Sequence, residues 1–371
     1  MESECNNRIT LITKPEQSGK TFLMLQELVK CYSNDSDLND DDIYTVNFII
    51  CDNNLLLVLQ TGTRIEGDSN LKEYKNKLTG EIFAEFSSAR NSNAKNYKEV
   101  QQKILVEDIR TIVFCANHYR WADSVRIIEG IQESKVGKNK FKYNFWIDEA
   151  DKFLKPITNI LVPLISKYNF IRLYLLTATS PKLINGLGIV KVFPIENPTL
   201  PFYHGWNYNK ITFISDKTVK NNFTYVENIL TNYKQEITIG SKWFIPSQKT
   251  QVSHLRMKDI CLKAGFAVAV INGKGFSIYL PDGTSYNEKK DDFPERLIYN
   301  LYTKYELYKY PFAITGYLCI SRGITINSEH FMISHAIMPC NVGDESECSQ
   351  LAGRMKGNFK NWSNYFFTYP V

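Results

Sequence analysis

Short runs rich in β-branched and aromatic residues alternate along this chain with longer stretches whose apolar residues recur at helical spacing. That alternation is the pattern of an α/β protein, a mainly parallel sheet flanked by helices. In the first half the runs predict strands over Arg8 to Thr13, Tyr44 to Ile50, Leu55 to Gln60, Glu81 to Phe86, Thr111 to Cys115, Asn144 to Asp148 and Arg172 to Thr177. Thr21 to Cys31 predicts a helix, with Phe22, Leu25, Leu28 and Val29 on one face. Pro194 to Tyr208 breaks the pattern with Pro194, Pro198, Pro201 and Gly205 and is the best candidate for a linker. Beyond it the alternation restarts, with strands over Ile211 to Ser215, Lys242 to Pro246, Ala267 to Ile271, Phe312 to Thr315, Phe331 to Ile337 and Tyr365 to Thr368. Two tandem α/β domains are therefore expected, 1–203 and 204–371. Gly273 to Glu295 interrupts the second with Gly275, Pro281-Asp282-Gly283 and a charged run, and reads as a hairpin-like insertion.

Two of these strands end in chemistry. Behind Ile9 to Thr13 comes Pro15-Glu16-Gln17-Ser18-Gly19-Lys20-Thr21, and behind Tyr143 to Ile147 comes Asp148-Glu149-Ala150-Asp151. A phosphate cradle needs consecutive backbone N–H groups, a lysine to neutralise the anion, a hydroxyl for magnesium and a helix N-terminus aimed at the phosphates. Gln17, Ser18, Gly19, Lys20 and Thr21 meet that need for ATP, although Lys14 stands where the usual pattern begins with glycine. Asp148 at a strand tip can hold Mg²⁺ together with Thr21, and Glu149 beside it can polarise the attacking water. An acidic cluster after a strand also serves as a helix N-cap, and it is the pairing with the loop that favours an ATPase.

Composition narrows the class without changing it. The 371 residues are 43% hydrophobic and 22% charged, an ordinary globular balance. No apolar run approaches the roughly 20 residues that span a bilayer, and Met1-Glu2-Ser3-Glu4 lacks the features of a signal peptide. A cytoplasmic or nuclear-type compartment and no membrane partner are expected. The eight cysteines form no CxxC pair and read as buried thiols. The five histidines show no metal spacing, and Trp146 and Trp243 sit in strand patterns as core residues, whereas Trp121 and Trp206 offer stacking surfaces. A net charge of +5 suits a polyanionic partner. The acidic run Asp35 to Asp42 and the lysines of Lys135 to Lys142 read as solvated loops. Asn, Lys, Ile and Tyr usage is that of an AT-rich genome, a large virus among the expected sources.

In motif order the chain resembles superfamily 2 helicases across nearly its whole length: Gly19-Lys20-Thr21, Asp148-Glu149-Ala150-Asp151, Thr177-Ala178-Thr179, then Gln350-Leu351-Ala352-Gly353-Arg354. The resemblance implies two RecA-like domains closing on ATP and Mg²⁺, with Arg354 as an arginine finger and Gln350 beside it. Nucleic acid is the implied partner, DNA ahead of RNA, with replication or recombination proteins as further partners. The Thr-Ala-Thr segment would couple the ATP site to the nucleic-acid groove. Softer matches follow other strands: Leu59 to Arg64 with Gln60 and Thr61, Cys115 to Arg120 with Asn117 and Arg120, and Trp243 to Ser247 with Ser247. Ile314-Thr315-Gly316, leading to Ser321 to Thr325 with Gly323, resembles the segment that touches both ATP and strand. Hydroxyls and amides there would grip phosphate oxygens. The chain also departs from the family. Gly357 replaces a second arginine, Thr325 replaces an aspartate, and the thirteen residues before Lys14 are too few for the glutamine motif of DEAD-box RNA helicases. A helicase-like binding or regulatory module with weak turnover is the alternative expectation.

Overall fold

A computed structural model describes residues 7–14, 18–36, 43–52, 55–87, 92–189, 191–194, 202–205, 212–215, 219, 221–272, 275–288, 297–316, 326–338, 351–360, 362 and 365–368. The chain divides into two compact units, the first covering Met1–Pro15 and Gly19–Pro198 and the second Glu16–Ser18 and Thr199–Val371.

The first unit is built on seven strands: β1 (Ile9–Thr13), β2 (Tyr44–Cys51), β3 (Ala84–Phe86), β4 (Thr111–Cys115), β5 (Phe141–Asp148), β6 (Ile171–Thr177) and β7 (Lys191–Pro194). They lie in the order β3-β4-β2-β5-β6-β1-β7, and every pair is parallel. Parallel sheets are covered on both faces, which is why these strands read as apolar runs. Alternate residues divide between two cores. Phe48, Ile112, Phe114, Phe145 and Leu173 pack with helices α3 (Tyr97–Leu105) and α4 (His118–Glu133) on one side. Ile12, Ile49, Val113, Trp146 and Leu176 pack with α1 (Lys20–Ser36) and α2 (Leu55–Gly67) on the other.

Helix α2 corrects an expectation, since Leu55 to Gln60 is not a strand. A short run of leucine and valine carries no period of its own, and the burial of Val58, Thr61, Gly62 and Ile65 at helical spacing places this segment as a helix against the sheet. Strand β7 was not expected either. Lys191–Pro194 joins the edge beside β1, so the Pro-rich stretch begins as sheet rather than linker. Asp35 is a further correction: it is buried at the end of α1, where it accepts from Arg110 Nη1 and from the Thr45 N–H, each at 2.8 Å. The remainder of that acidic run, 37–42, lies outside the described residues. The four lysines between 135 and 142 are exposed, as a solvated run should be.

The second unit holds an eight-stranded sheet. Its strands are β9 (Thr212–Ser215), β10 (Lys242–Phe244), β11 (Ala267–Asn272), β12 (Gly275–Tyr279), β13 (Ser285–Glu288), β14 (Phe312–Gly316), β15 (His335–Ile337) and β17 (Tyr365–Thr368), in the order β13-β12-β11-β14-β10-β15-β17-β9. Six are parallel, and β12 and β13 add an antiparallel hairpin at one edge. The expected insertion is thus part of the sheet. Its turn closes through Leu280 N–H to the Thr284 carbonyl and Thr284 N–H to Asp282 Oδ1, each at 2.8 Å. Helices α5 (Asn222–Asn232) and α6 (Gln251–Lys263) cover one face, packing Phe223, Ile229, Met257 and Cys261 onto Trp243, Val268 and Ala313. Phe331 to Ile337 forms a strand only over His335–Ile337. A separate two-stranded ladder pairs β8 (Tyr203–His204) with β16 (Gly357–Asn358).

Candidate functional site

The strand order places three motifs side by side. β5, β6 and β1 are neighbours, and their carboxyl ends carry Asp148-Glu149, Thr177-Ala178-Thr179 and the loop before Lys20. Adjacent strands lie about 4.8 Å apart, and such an edge of an open α/β sheet is where ligands bind.

Lys20 opens α1, whose first turn carries no acidic residue to compete for the positive end of the helix. Gly19 before it takes a left-handed backbone, φ 86°, which places the turn tightly ahead of the helix. The Lys20 ammonium donates to Glu149 Oε1 at 3.4 Å, with both side chains mostly buried. Loop and acid pair therefore meet. Glu149 is left-handed as well, φ 52° and ψ 45°, a conformation that costs a residue other than glycine about 1–3 kcal/mol and collects at functional sites. Its own N–H donates to Asp148 Oδ1 at 3.0 Å. Burial and the neighbouring Glu149 carboxylate push the Asp148 carboxyl up to about 6, against the pull of Lys20 and Arg64.

The sign of that shift sets a pH dependence. A carboxyl raised from its ordinary 3.8 to about 6 holds more protons folded than unfolded between those values, so folding stability falls as pH rises through this window. Asp148→Asn is expected to raise the melting temperature at pH 7 without Mg²⁺, with the gain shrinking as pH falls and vanishing toward about pH 3, below both pKa values. Paired thermal scans across that range check it, and a gain independent of pH would refute the assignment.

The Thr-Ala-Thr segment is tied to the acid motif. Thr177 Oγ1 donates to Asp151 at 2.8 Å and accepts the Thr179 N–H at 3.0 Å, while the Thr177 carbonyl accepts the Lys14 N–H at 3.1 Å. Lys14, in the place of the first loop glycine, has its amine 3.8 Å from where a Cβ on Gly19 would sit, and burial lowers its pKa. Gln17, Gly323, Thr325 and Gln350 lie outside the described residues. Ser18 is buried.

Several expected strand-gripping side chains are engaged elsewhere. Thr61 is buried in α2 and receives the Cys51 thiol, so it does not end a strand and does not face solvent. Gln60 lies on the same helix rather than in a loop. Asn117 caps α4 by accepting the Arg120 N–H at 3.0 Å. Arg120 itself lies over Phe86, 3.6 Å from the ring centre, and donates to the Ser87 carbonyl and to Asp123. In the second unit Ser247 is buried and donates to the Ser253 carbonyl at 2.8 Å, and Thr315 is fully buried in β14. Asn117, Arg120 and Ser247 are held by backbone partners and Thr61 by a thiol, since polar side chains near the main chain find such partners first. Arg354 is buried in a short turn, Gly353–Met355, and its carbonyl accepts from Asn327 at 2.8 Å. Trp121 is core as well, packed on Phe153. Trp206 lies outside the described residues.

Two residues escaped the sequence. Asp52, at the end of β2, is ion-paired with Lys152 just after the acid motif. Its signal was an aspartate following a buried strand, obscured by assigning the next strand to Leu55 to Gln60. Arg64 ends the stretch expected as a nucleic-acid loop, yet its Nη1 donates to Thr21 Oγ1 at 3.2 Å. Among the described residues no cluster of His, Cys, Asp and Glu could hold a metal by itself, and no helix is long and apolar enough to cross a membrane.

S. cerevisiae Dbp5 bound to RNA and ADP BeF3 aligns with 98% of this chain and 79% of its own, with a TM-score of 0.54 at 14% identity. The fold is that of two tandem RecA-like domains, as in these chains. Mss116p bound to ssRNA and AMP-PNP aligns with 98% of the chain and 66% of its own, TM-score 0.55 and 13% identity. The helicase MrfA bound to DNA and AMPPNP gives TM-score 0.54 at 11% identity, and the chain spans 48% of that protein. No protein-family description and no curated protein matches the sequence. Within this fold the departure at Gly357 has a steric reason. Its backbone pairs with His204, and a Cβ there would lie 2.8 Å from the Phe359 ring and 3.3 Å from Trp362, so an arginine has no room.

Proposed function

We propose that the chain is an ATP-dependent nucleic-acid helicase or translocase. The observation that carries this reading is the Lys20–Glu149 contact at 3.4 Å, which joins a phosphate loop to an acid pair at the carboxyl ends of β1 and β5. Lys20 and the α1 N-terminus would bind the β and γ phosphates. Magnesium takes hard oxygen donors, which the Thr21 hydroxyl and the Asp148 carboxylate are, and those two residues would hold it; when bound it neutralises charge on the phosphates. Glu149 would orient a water and accept its proton as the water oxygen bonds to the γ phosphorus. The bond to the bridging oxygen then breaks, releasing ADP and phosphate. Thr177 and Asp151 would transmit the state of this edge, since one hydrogen bond locks their positions together. The role of Arg354, neutralising charge that develops during transfer, rests on motif order alone.

Phosphate release measured with single-stranded and duplex DNA and RNA, each at two salt concentrations, tests the proposal. Turnover is expected to rise with nucleic acid, DNA above RNA, and to be abolished in Arg354→Ala. Turnover indifferent to every nucleic acid would end the reading. The second reading, a nucleic-acid-binding module with weak turnover, is favoured by Lys14 in the phosphate loop and by Gly357. Tight nucleotide binding with background hydrolysis would select it.

A further inference from the structure

Arg64 holds the one hydroxyl that the phosphate loop would offer to magnesium. Its guanidinium donates to Thr21 Oγ1 at 3.2 Å, and a guanidinium is always charged and only donates, so it uses a lone pair of that oxygen. Thr21, one of the two proposed magnesium donors, therefore already lies against a permanent cation.

The helix that carries Arg64 is held in place. Val58 and Ile65 are buried in the core beneath α2. Gly62 lies against the Phe83 ring so closely that a Cβ would come within 2.6 Å of it. The backbone of α2 is thus positioned by packing, and the long Arg64 side chain is what can move. Magnesium sits about 2.1 Å from its oxygen ligands in octahedral geometry. A dication on Thr21 Oγ1 and a guanidinium on the same oxygen are like charges within a few ångströms, in a half-buried site where such repulsion is poorly screened.

We propose that Arg64 is a displaceable counter-ion of this site, occupying Thr21 until magnesium arrives with nucleotide and expels it. The proposal rests on the ATP-site reading above. It assigns to α2 a competition in which Arg64 sets the magnesium concentration at which nucleotide binds.

Binding of a fluorescent ADP analogue, titrated with MgCl₂, tests it in the full chain. Arg64→Ala and Arg64→Gln are expected to reach half-maximal binding at about tenfold lower magnesium, the scale of removing one partly screened like charge. Arg64→Lys, which keeps the charge, should stay near the unsubstituted protein. In thermal unfolding without nucleotide, MgCl₂ alone should raise the melting temperature of Arg64→Ala more than that of the parent. A magnesium requirement unchanged in Arg64→Ala overturns the proposal, and a raised one overturns it by making Arg64 a phosphate ligand. If the unsubstituted protein binds no nucleotide at any magnesium concentration, the ATP-site reading falls and takes this one with it. If it binds and the variants match it, only the counter-ion role is lost.

Discussion

Lys20→Ala is expected to lower ATP turnover by about 10²–10³-fold, the usual cost of removing one preorganised donor from a site of developing charge. Three features place the expectation at the upper end. The Lys20 ammonium is mostly buried, it stands at the N-terminus of α1, and it is bonded to Glu149. Its removal takes away a phosphate ligand, frees the Glu149 carboxylate to swing, and deprives Asp148 of one of the two cations that oppose its raised pKa. Nucleotide affinity should therefore weaken together with turnover. Phosphate release and nucleotide binding measured on the same preparation check both effects, with circular dichroism to confirm folding. Turnover close to that of the unsubstituted protein would remove the phosphate loop from the mechanism.

Glu149→Gln should act on a different quantity. The amide keeps the size and the left-handed backbone but cannot accept the proton of the attacking water, so kcat is expected to fall by about 10²–10⁴-fold, the range for a positioned general base. Nucleotide binding should survive, and should tighten, because the Lys20 ammonium loses its carboxylate partner and turns fully to phosphate. The split between kcat and Kd separates this role from that of Lys20. Single-turnover hydrolysis with saturating nucleotide reads kcat directly, and a variant that hydrolyses at the parent's rate would show that Glu149 serves only as the partner of Lys20.

Together the two variants bear on the backbone of Glu149 as well. A left-handed glutamate is retained against a conformational cost, and the Lys20 contact alone, long at 3.4 Å, does not demand it. A role in orienting water gives that conformation a purpose that packing does not.

The sequence by itself determined the fold class and the identity of the site's main groups. Parallel strands buried on both faces must be largely apolar, so β1, β2, β4, β5, β6, β11 and β14 stood out as runs. Asp148, Glu149 and Thr177 stood out at the ends of such runs, and Lys20 and Thr21 at the start of the helix that follows one. Where an apolar run lacked a period of its own, as at Leu55 to Gln60, only contact with the sheet decided for a helix. That decision moved Arg64 from an expected nucleic-acid loop to the Thr21 hydroxyl. Tertiary structure alone also decided which polar groups were already engaged. Thr61, Arg120 and Ser247 looked available in one dimension and are held by partners that only the folded chain brings near. The physical reason is common to all of these: residue type and spacing report local preference, whereas a hydroxyl or a guanidinium is committed by whatever lies within about 3 Å of it, and that is set by strand order.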